Sequence, residues 1–208
     1  ILAEDFGQWD FDRSEAVSTA PQFEEVDYYA DSNSSRNGSR IRNGLGHTQE
    51  GGAEDGSQAQ SLANYLSNTN NGVSYHDVIG AGRVYHVAPK DRSSWSVLDA
   101  NPYTINYCLA GSRASWSREQ WMLREGDLRI MAYLMVQDAQ ANGYAADVIA
   151  PPYEVRDGLS DHKYVTEALG IGNHTDLGYN FPWDIFAEYV AEYRDGSFQP
   201  RYNAIDDV

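Results

Sequence analysis

Cysteine is almost absent: the 208-residue chain has one, Cys108. One thiol closes no internal disulfide, and it excludes a metal site built from several thiolates. Any bound metal must therefore be held by histidine and carboxylate. Cations are scarce too, with 15 Lys and Arg against 31 Asp and Glu, for a formal net charge of -16. Nucleic acid needs a basic footprint, so no nucleic-acid partner is expected, and an anionic membrane surface would repel the chain. No run approaches the roughly 18 apolar residues of a membrane span. The opening residues, Ile1-Leu2-Ala3-Glu4-Asp5, lack the basic start and apolar stretch of a secretory signal. A start without Met fits a domain cut from something longer.

Hydrophobic residues make up 41% of the chain, enough for one compact domain with a core. We read residues 1–36 as an acidic, aromatic extension packed on the domain, 37–194 as the domain, and 195–208 as a loose tail. Phe6, Trp9, Phe11, Phe23, Tyr28 and Tyr29 in the extension show no clean period. Residues 31–40 are rich in turn formers and read as a loop. A weak strand is expected from Ile41 to Leu45, with His47 just after it. Ala59, Leu62, Ala63 and Leu66 stand at helical spacing, and Asn71-Gly72 closes that helix. Val73–Ile79 and Arg83–Ala88 read as strands of a hairpin turning at Gly80-Ala81-Gly82, and Tyr103–Ala110 as a third strand.

Ser117 and Gln120 form a capping-box pattern ahead of a helix carrying Leu128, Met131, Ala132, Met135 and Ala139. A short strand at Asp147–Ala150, a helix at Lys163–Leu169 and a last helix from Pro182 follow; Ile185, Phe186, Tyr189, Val190 and Tyr193 form the last helix's inner face. Strands and helices mix without strict alternation. The fold class is therefore mixed α/β, a central mixed β-sheet flanked by helices.

Five histidines are the nitrogen donors available: His47, His76, His86, His162 and His174. A catalytic zinc takes three protein ligands and keeps one position open. No H-E-x-x-H pair is present. His76 and His86 stand on two strands of one expected hairpin, and His47, His162 and the His174-Thr175-Asp176 cluster are the other candidates. Spacing alone does not choose among them.

The order of segments does. Gly46-His47-Thr48-Gln49-Glu50-Gly51-Gly52 resembles the first metal-binding segment of the peptidoglycan-recognition-type amidases, the type 2 N-acetylmuramoyl-L-alanine amidases. Ser74-Tyr75-His76 resembles their S-Y-H strand. Asn101 to Gly111 resembles their N-x-x-S-I-G-I-E-L-x-G strand. Asp161-His162, then His174-Thr175-Asp176-Leu177-Gly178 and Phe181-Pro182-Trp183, resemble the closing segment. The match runs in order from about residue 31 to 194. The wording H-T-Q-E-G, S-W-S-V-L and A-S-W-S-R is most similar to endolysins of phages that infect mycobacteria and related actinobacteria.

The resemblance implies a zinc (Zn2+) enzyme that cuts peptidoglycan between the muramic-acid lactyl group and L-alanine. It implies His47, His162 and Asp176 as ligands, with Tyr75, His174 and Glu50 as catalytic candidates. Tyr75 would orient water or donate to the oxyanion, His174 would donate to the oxyanion or protonate the leaving amine, and Glu50 would act as base. Where relatives carry a Glu on the I-E-L strand, this chain has Cys108, read as a buried strand residue. His76 and His86 are read as structural, since strand alternation turns only one of Tyr75 and His76 to the cleft. Trp95, Trp116 and Trp121 are read as core or rim. A monomer is expected, made in the host cytoplasm and acting at the cell wall after release. The same fold without a working metal site would instead be a muropeptide-binding module.

Overall fold

The computed structural model describes residues 20–196. Much of the acidic extension, with Phe6, Trp9 and Phe11, and the tail from residue 197 lie outside the described residues. The elements in chain order are β1 (Glu24–Asp27), β2 (Asn33–Ser34), β3 (Asn43–Thr48), α1 (Ala59–Ser67), β4 (Asp77–Gly80), β5 (Arg83–His86), β6 (Ser93–Ser94), β7 (Thr104–Leu109), α2 (Arg118–Met122), α3 (Glu125–Asn142), β8 (Gly158–Asp161), α4 (His162–Glu167) and α5 (Trp183–Asp195). Six strands form one mixed sheet in the order β1-β5-β4-β7-β3-β8, and β2 pairs with β6 apart from it. Strands β4, β7, β3 and β8 run parallel, while β5 is antiparallel to β4. This is the mixed sheet flanked by helices that the sequence led us to expect. No helix of the described residues is long and apolar enough to cross a membrane.

The two sheet faces are covered by different helices. Ile105, Tyr107 and Leu109 of β7 point to one face, where Leu128, Met131 and Met135 of α3 and Phe186 and Val190 of α5 bury them. Cys108 and Val78 point to the other, against Leu62, Ala63 and Leu66 of α1. A third cluster, with Leu45, Val97, Ile149, Tyr164 and Val165, lies under α4. The alternation along β7 is the period-2 pattern of a strand buried on both faces.

Strand β3 is central and fully buried, although it reads N-G-L-G-H-T. Its low apolar content has a packing cause. A Cβ on Gly44 would stand 3.1 Å from Leu159 Cδ2, and one on Gly46 would stand 3.1 Å from Leu177 Cδ1 and 3.3 Å from Met131 Cε. Neighbouring side chains already fill that face, so the strand contributes backbone there and no side chain. It also runs on through His47, which lies within the ladder and not after it.

Other boundaries moved. Glu24–Asp27, inside the segment read as an extension, is an edge strand parallel to β5, and its mostly exposed residues explain the missing period. Arg36 is buried as well, donating to the carbonyls of Lys90, Pro102 and Thr104. The strand expected over Val73–Ile79 begins only at Asp77, because Ser74 N donates to Trp95 O. The capping box of Ser117 and Gln120 forms, but it caps the short α2. A new helix starts at Glu125, after Arg124 has turned inward to Ala110 O and Asp127. The strand expected at Asp147–Ala150 is reduced to a single bridge, Val148 to Leu159. Strand β8 was not foreseen: Gly-Leu-Ser-Asp carries no strand pattern and is held by its pairing with β3.

Candidate metal centre

The centre stands where two parallel strands end level. In the ladder Gly46 of β3 pairs with Asp161 of β8, so the next residues, His47 and His162, emerge side by side. The C-terminal ends of parallel strands are where an open α/β sheet places its ligands. Their imidazole rings meet edge to face at 4.8 Å between centroids. Asp161 ends β8 and caps α4, its Oδ1 accepting from Tyr164 N at 3.0 Å and from the Tyr153 hydroxyl at 2.9 Å. Its Oδ2 accepts from Leu177 N at 2.9 Å, which ties the Asp176 segment to the end of β8. Burial pushes the Asp161 carboxyl up to about 7, although these three donors work against it.

Asp176 comes in from the loop after α4. Lys163 N donates to its carbonyl at 2.8 Å and Thr48 N to its Oδ2 at 3.2 Å. Its Oδ2 lies 3.4 Å from His47 Nδ1, and its Oδ1 lies 3.4 Å from His162 Nδ1. All three residues are buried, with their donor atoms within 4.8 Å of one another. Burial alone would raise the Asp176 carboxyl, but the flanking His162 and His47 imidazoles outweigh it and hold the group well below the usual carboxylate range. Burial lowers the His162 imidazole from its ordinary value, against the pull of Asp176.

The donor set fits zinc. Two ligand atoms on a tetrahedral ion with bonds of ~2.0–2.1 Å are about 3.3–3.4 Å apart, which matches both histidine–aspartate separations. His47 Nδ1 is moreover fully buried with no hydrogen-bond partner. A buried acceptor left empty is costly, and a cation between the three donors would satisfy it.

The other expected residues gather around this centre. The Tyr75 ring packs on His47 at 4.8 Å between centroids. Burial raises the Tyr75 hydroxyl well above its ordinary value, with Cys108 and Asp176 adding to the effect, so it is a donor. His174 stacks on His162 at 4.4 Å with the two rings nearly parallel, and its side chain is 65% exposed. Glu50 sits at positive φ, and its Oε1 accepts from Thr48 Oγ1 at 2.7 Å and Ala114 N at 2.6 Å. Glu50, His174, Asp176 and Tyr179 line one open cleft of about 560 Å³.

Cys108 is buried in β7 opposite His47, and burial pushes its thiol well up, so it offers no thiolate. His76 and His86 stand away from the centre. His76 is wholly buried beside Arg36 and Arg92 O, while His86 bonds Asp77 at 2.7 Å and Glu25 at 3.2 Å. Trp116 and Trp121 are core residues; Trp95 is half-buried, its Nε1 donating to Ser34 Oγ at 2.7 Å.

Two supporting residues were not anticipated. Tyr153 braces Asp161, and Asn106 Oδ1 lies 2.8 Å from His47 Nε2. Asn106 falls on the glycine of the I-G-I-E-L pattern, so the resemblance carries no side chain there. The signal that finds it is register: Asn106 stands two residues before Cys108, the partner of His47, on the same face of β7.

No protein-family model matches the sequence, and no curated protein does. Solved structures match the fold. The Staphylococcus aureus hydrolase AmiA, in complex with its ligand, is 19% identical with a TM-score of 0.67 over 84% of each chain. A mutant endolysin from Bacillus subtilis is 14% identical with a TM-score of 0.54, over 81% of this chain and 99% of that one. The N-acetylmuramoyl-L-alanine amidase LysC from Clostridium intestinale is 15% identical with a TM-score of 0.50, over 80% and 95%. The chain has the type 2 amidase fold.

Proposed function

We propose that this chain is a zinc-dependent peptidoglycan amidase. It hydrolyses the amide between the lactyl group of N-acetylmuramic acid and the first L-alanine of the stem peptide, as the catalytic domain of a cell-wall lytic protein of endolysin type. The observation that carries the reading is the buried, unpartnered His47 Nδ1, set 3.4 Å from an Asp176 oxygen whose twin lies 3.4 Å from His162 Nδ1, beside an open cleft. The shared fold of AmiA, named as a hydrolase, and LysC, named as an amidase, supports it.

Zinc bound at this centre would polarise the scissile carbonyl and acidify a water molecule. Two neutral imidazoles and one carboxylate leave the centre net positive. Glu50, its carboxylate oriented by Thr48 and Ala114, takes the proton from the attacking water. The Tyr75 hydroxyl, for which the described residues provide no partner, donates to the oxyanion as the carbonyl carbon becomes tetrahedral. His174, exposed on the cleft wall, delivers a proton to the alanine nitrogen as the C–N bond breaks. Water is consumed, and a lactyl carboxylate and a free amino terminus are the products. In this reading the protein acts as a monomer at the cell wall after release from the host cytoplasm.

The test measures zinc content and new L-alanine amino termini released from purified peptidoglycan, for the wild type and Asp176→Ala. One zinc per chain with cleavage, both lost in the variant, supports the reading. Zinc uptake without cleavage would favour a muropeptide-binding module. A wild type that takes up no zinc would sink the ligand assignment.

A further inference from the structure

The hydrogen bonds around Asn106 fix where the His47 proton resides. Asn106 lies on β7, diagonal to His47 across the β3–β7 ladder. An amide facing an imidazole can be turned either way, and only the surrounding network decides. Ser96 Oγ lies 2.5 Å from Ser74 O and must donate to it, because a carbonyl only accepts. Its one proton is then spent, so in the 2.8 Å Ser94–Ser96 contact Ser94 is the donor. Thr104 Oγ1 likewise donates to Ala100 O at 3.0 Å. Ser94 and Thr104 can therefore only accept from Asn106, and they lie 3.0 and 2.9 Å from its Nδ2. That end must be the NH2 group. Oδ1 is thereby turned to His47, and His47 Nε2 must carry the ring proton.

We infer that Asn106 is a positioning residue for the metal centre: it holds His47 in the Nε2–H tautomer and so keeps Nδ1 free as a metal donor. The inference rests on the reading of His47 as a zinc ligand. Two acceptors compete for the single proton of neutral His47. Asn106 Oδ1 pulls it to Nε2 across 2.8 Å, and Asp176 Oδ2 pulls it to Nδ1 across 3.4 Å, outside good hydrogen-bond range. Without Asn106 the buried Nε2–H would lose its partner. The proton would then move to Nδ1 and Asp176, where an incoming cation must displace it. His162 differs: among the described residues its ring finds only Asp176, the edge-on His47 ring and the stacked His174 ring, with no second acceptor fixing its tautomer.

The experiment compares wild type, Asn106→Leu and Asn106→Asp. Long-range proton–nitrogen NMR on the metal-free, histidine-labelled proteins reads the His47 tautomer. Competition with a chromophoric chelator reads zinc affinity. We expect Nε2–H in the wild type and Nδ1–H in the Leu variant. Zinc binding in the Leu variant should weaken about 10–100-fold, the usual cost of losing an outer-shell partner. The Asp variant keeps an acceptor towards Nε2 and should retain both tautomer and affinity, even where exchanging an NH2 for an oxygen lowers its melting temperature. A merely structural Asn106 would leave the tautomer unchanged, and an unchanged tautomer or unchanged affinity in the Leu variant overturns the inference. If the Leu variant does not fold, the wild-type spectrum decides alone, since Nδ1–H there overturns it. Failure of the functional reading looks different: the wild type shows Nε2–H but takes up no zinc, and the metal role of Asn106 falls with it.

Discussion

Zinc should stabilise this fold in proportion to the logarithm of its free concentration. His47 stands more than a hundred residues of chain before His162 and Asp176, yet the three donors lie within 4.8 Å of one another when folded. The unfolded chain holds no such site, so binding free energy becomes folding free energy. Above the dissociation constant, each tenfold rise in free zinc adds about 1.4 kcal/mol. For a domain of this size about 1 kcal/mol moves the midpoint by ~2–4 °C, so the expected slope is about 3–6 °C per decade. The assay is a set of melting curves in zinc buffers spanning several decades, with chelator at one end. Magnesium at matched concentration should give no slope, because it demands oxygen ligands in an octahedron. Asp176→Ala should flatten the zinc line. A wild type that carries zinc by mass but melts at one temperature throughout would refute the claim that the folded arrangement of these three residues is the site. An equal slope in Asp176→Ala would place the zinc elsewhere.

Three further outcomes follow from individual contacts. Tyr75→Phe should lower kcat about 10²–10³-fold if the hydroxyl stabilises the oxyanion, with zinc content and melting temperature unchanged, since that hydroxyl has no partner among the described residues; a loss of zinc would move Tyr75 from chemistry to structure. Arg124→Met should cost about 3–5 kcal/mol in urea unfolding, because it leaves the buried Asp127 carboxylate only the Ala81 and Gly82 amides, and Asp127→Asn in the same chain should recover part of the loss. His86 is raised above its ordinary 6.5 by its hydrogen bond to Asp77, against burial. A raised histidine stabilises fully below its unfolded value and loses that contribution as pH rises through the folded one. The stability difference between wild type and His86→Gln, measured with chelator present, should therefore shrink as pH climbs from about 6.5, and a difference that grows would reverse the sign assigned to this contact.

The elements that were legible are those whose pattern is local. The α1 face was readable because Ala59, Leu62, Ala63 and Leu66 bury themselves against one sheet face at helical spacing. The Ser117–Gln120 box was readable because both its bonds close within four residues. Strands β1 and β8 were not, for opposite reasons. β1 is an exposed edge whose ladder partner lies 59 residues away (Arg83 to Glu24). β8 is buried on both faces, yet its Gly-Leu-Ser-Asp draws its place from β3 and not from its own side chains. The break between α2 and α3 had no local cause either, since Arg124 leaves the helical line to reach Ala110 O and Glu54 O, distant in sequence.

For the site, composition narrowed the donors to histidine and carboxylate, and ordered motifs chose three positions; neither placed a proton. What turns three donors into a prepared cation site is the register of two parallel pairings. The β3–β8 register sets His47 beside His162, and the β3–β7 register sets Asn106 behind His47. Slipping either ladder by one residue would turn the side chain to the opposite face and dismantle the arrangement. That accounts for the glycines at 44 and 46, where a Cβ would press on Leu159 or Leu177 and either those side chains or the strand would have to give. A β3 segment that looked weak by apolar count is thus specified by what it omits, and Gly46→Ala should disturb zinc binding through the register while leaving every ligand in the sequence.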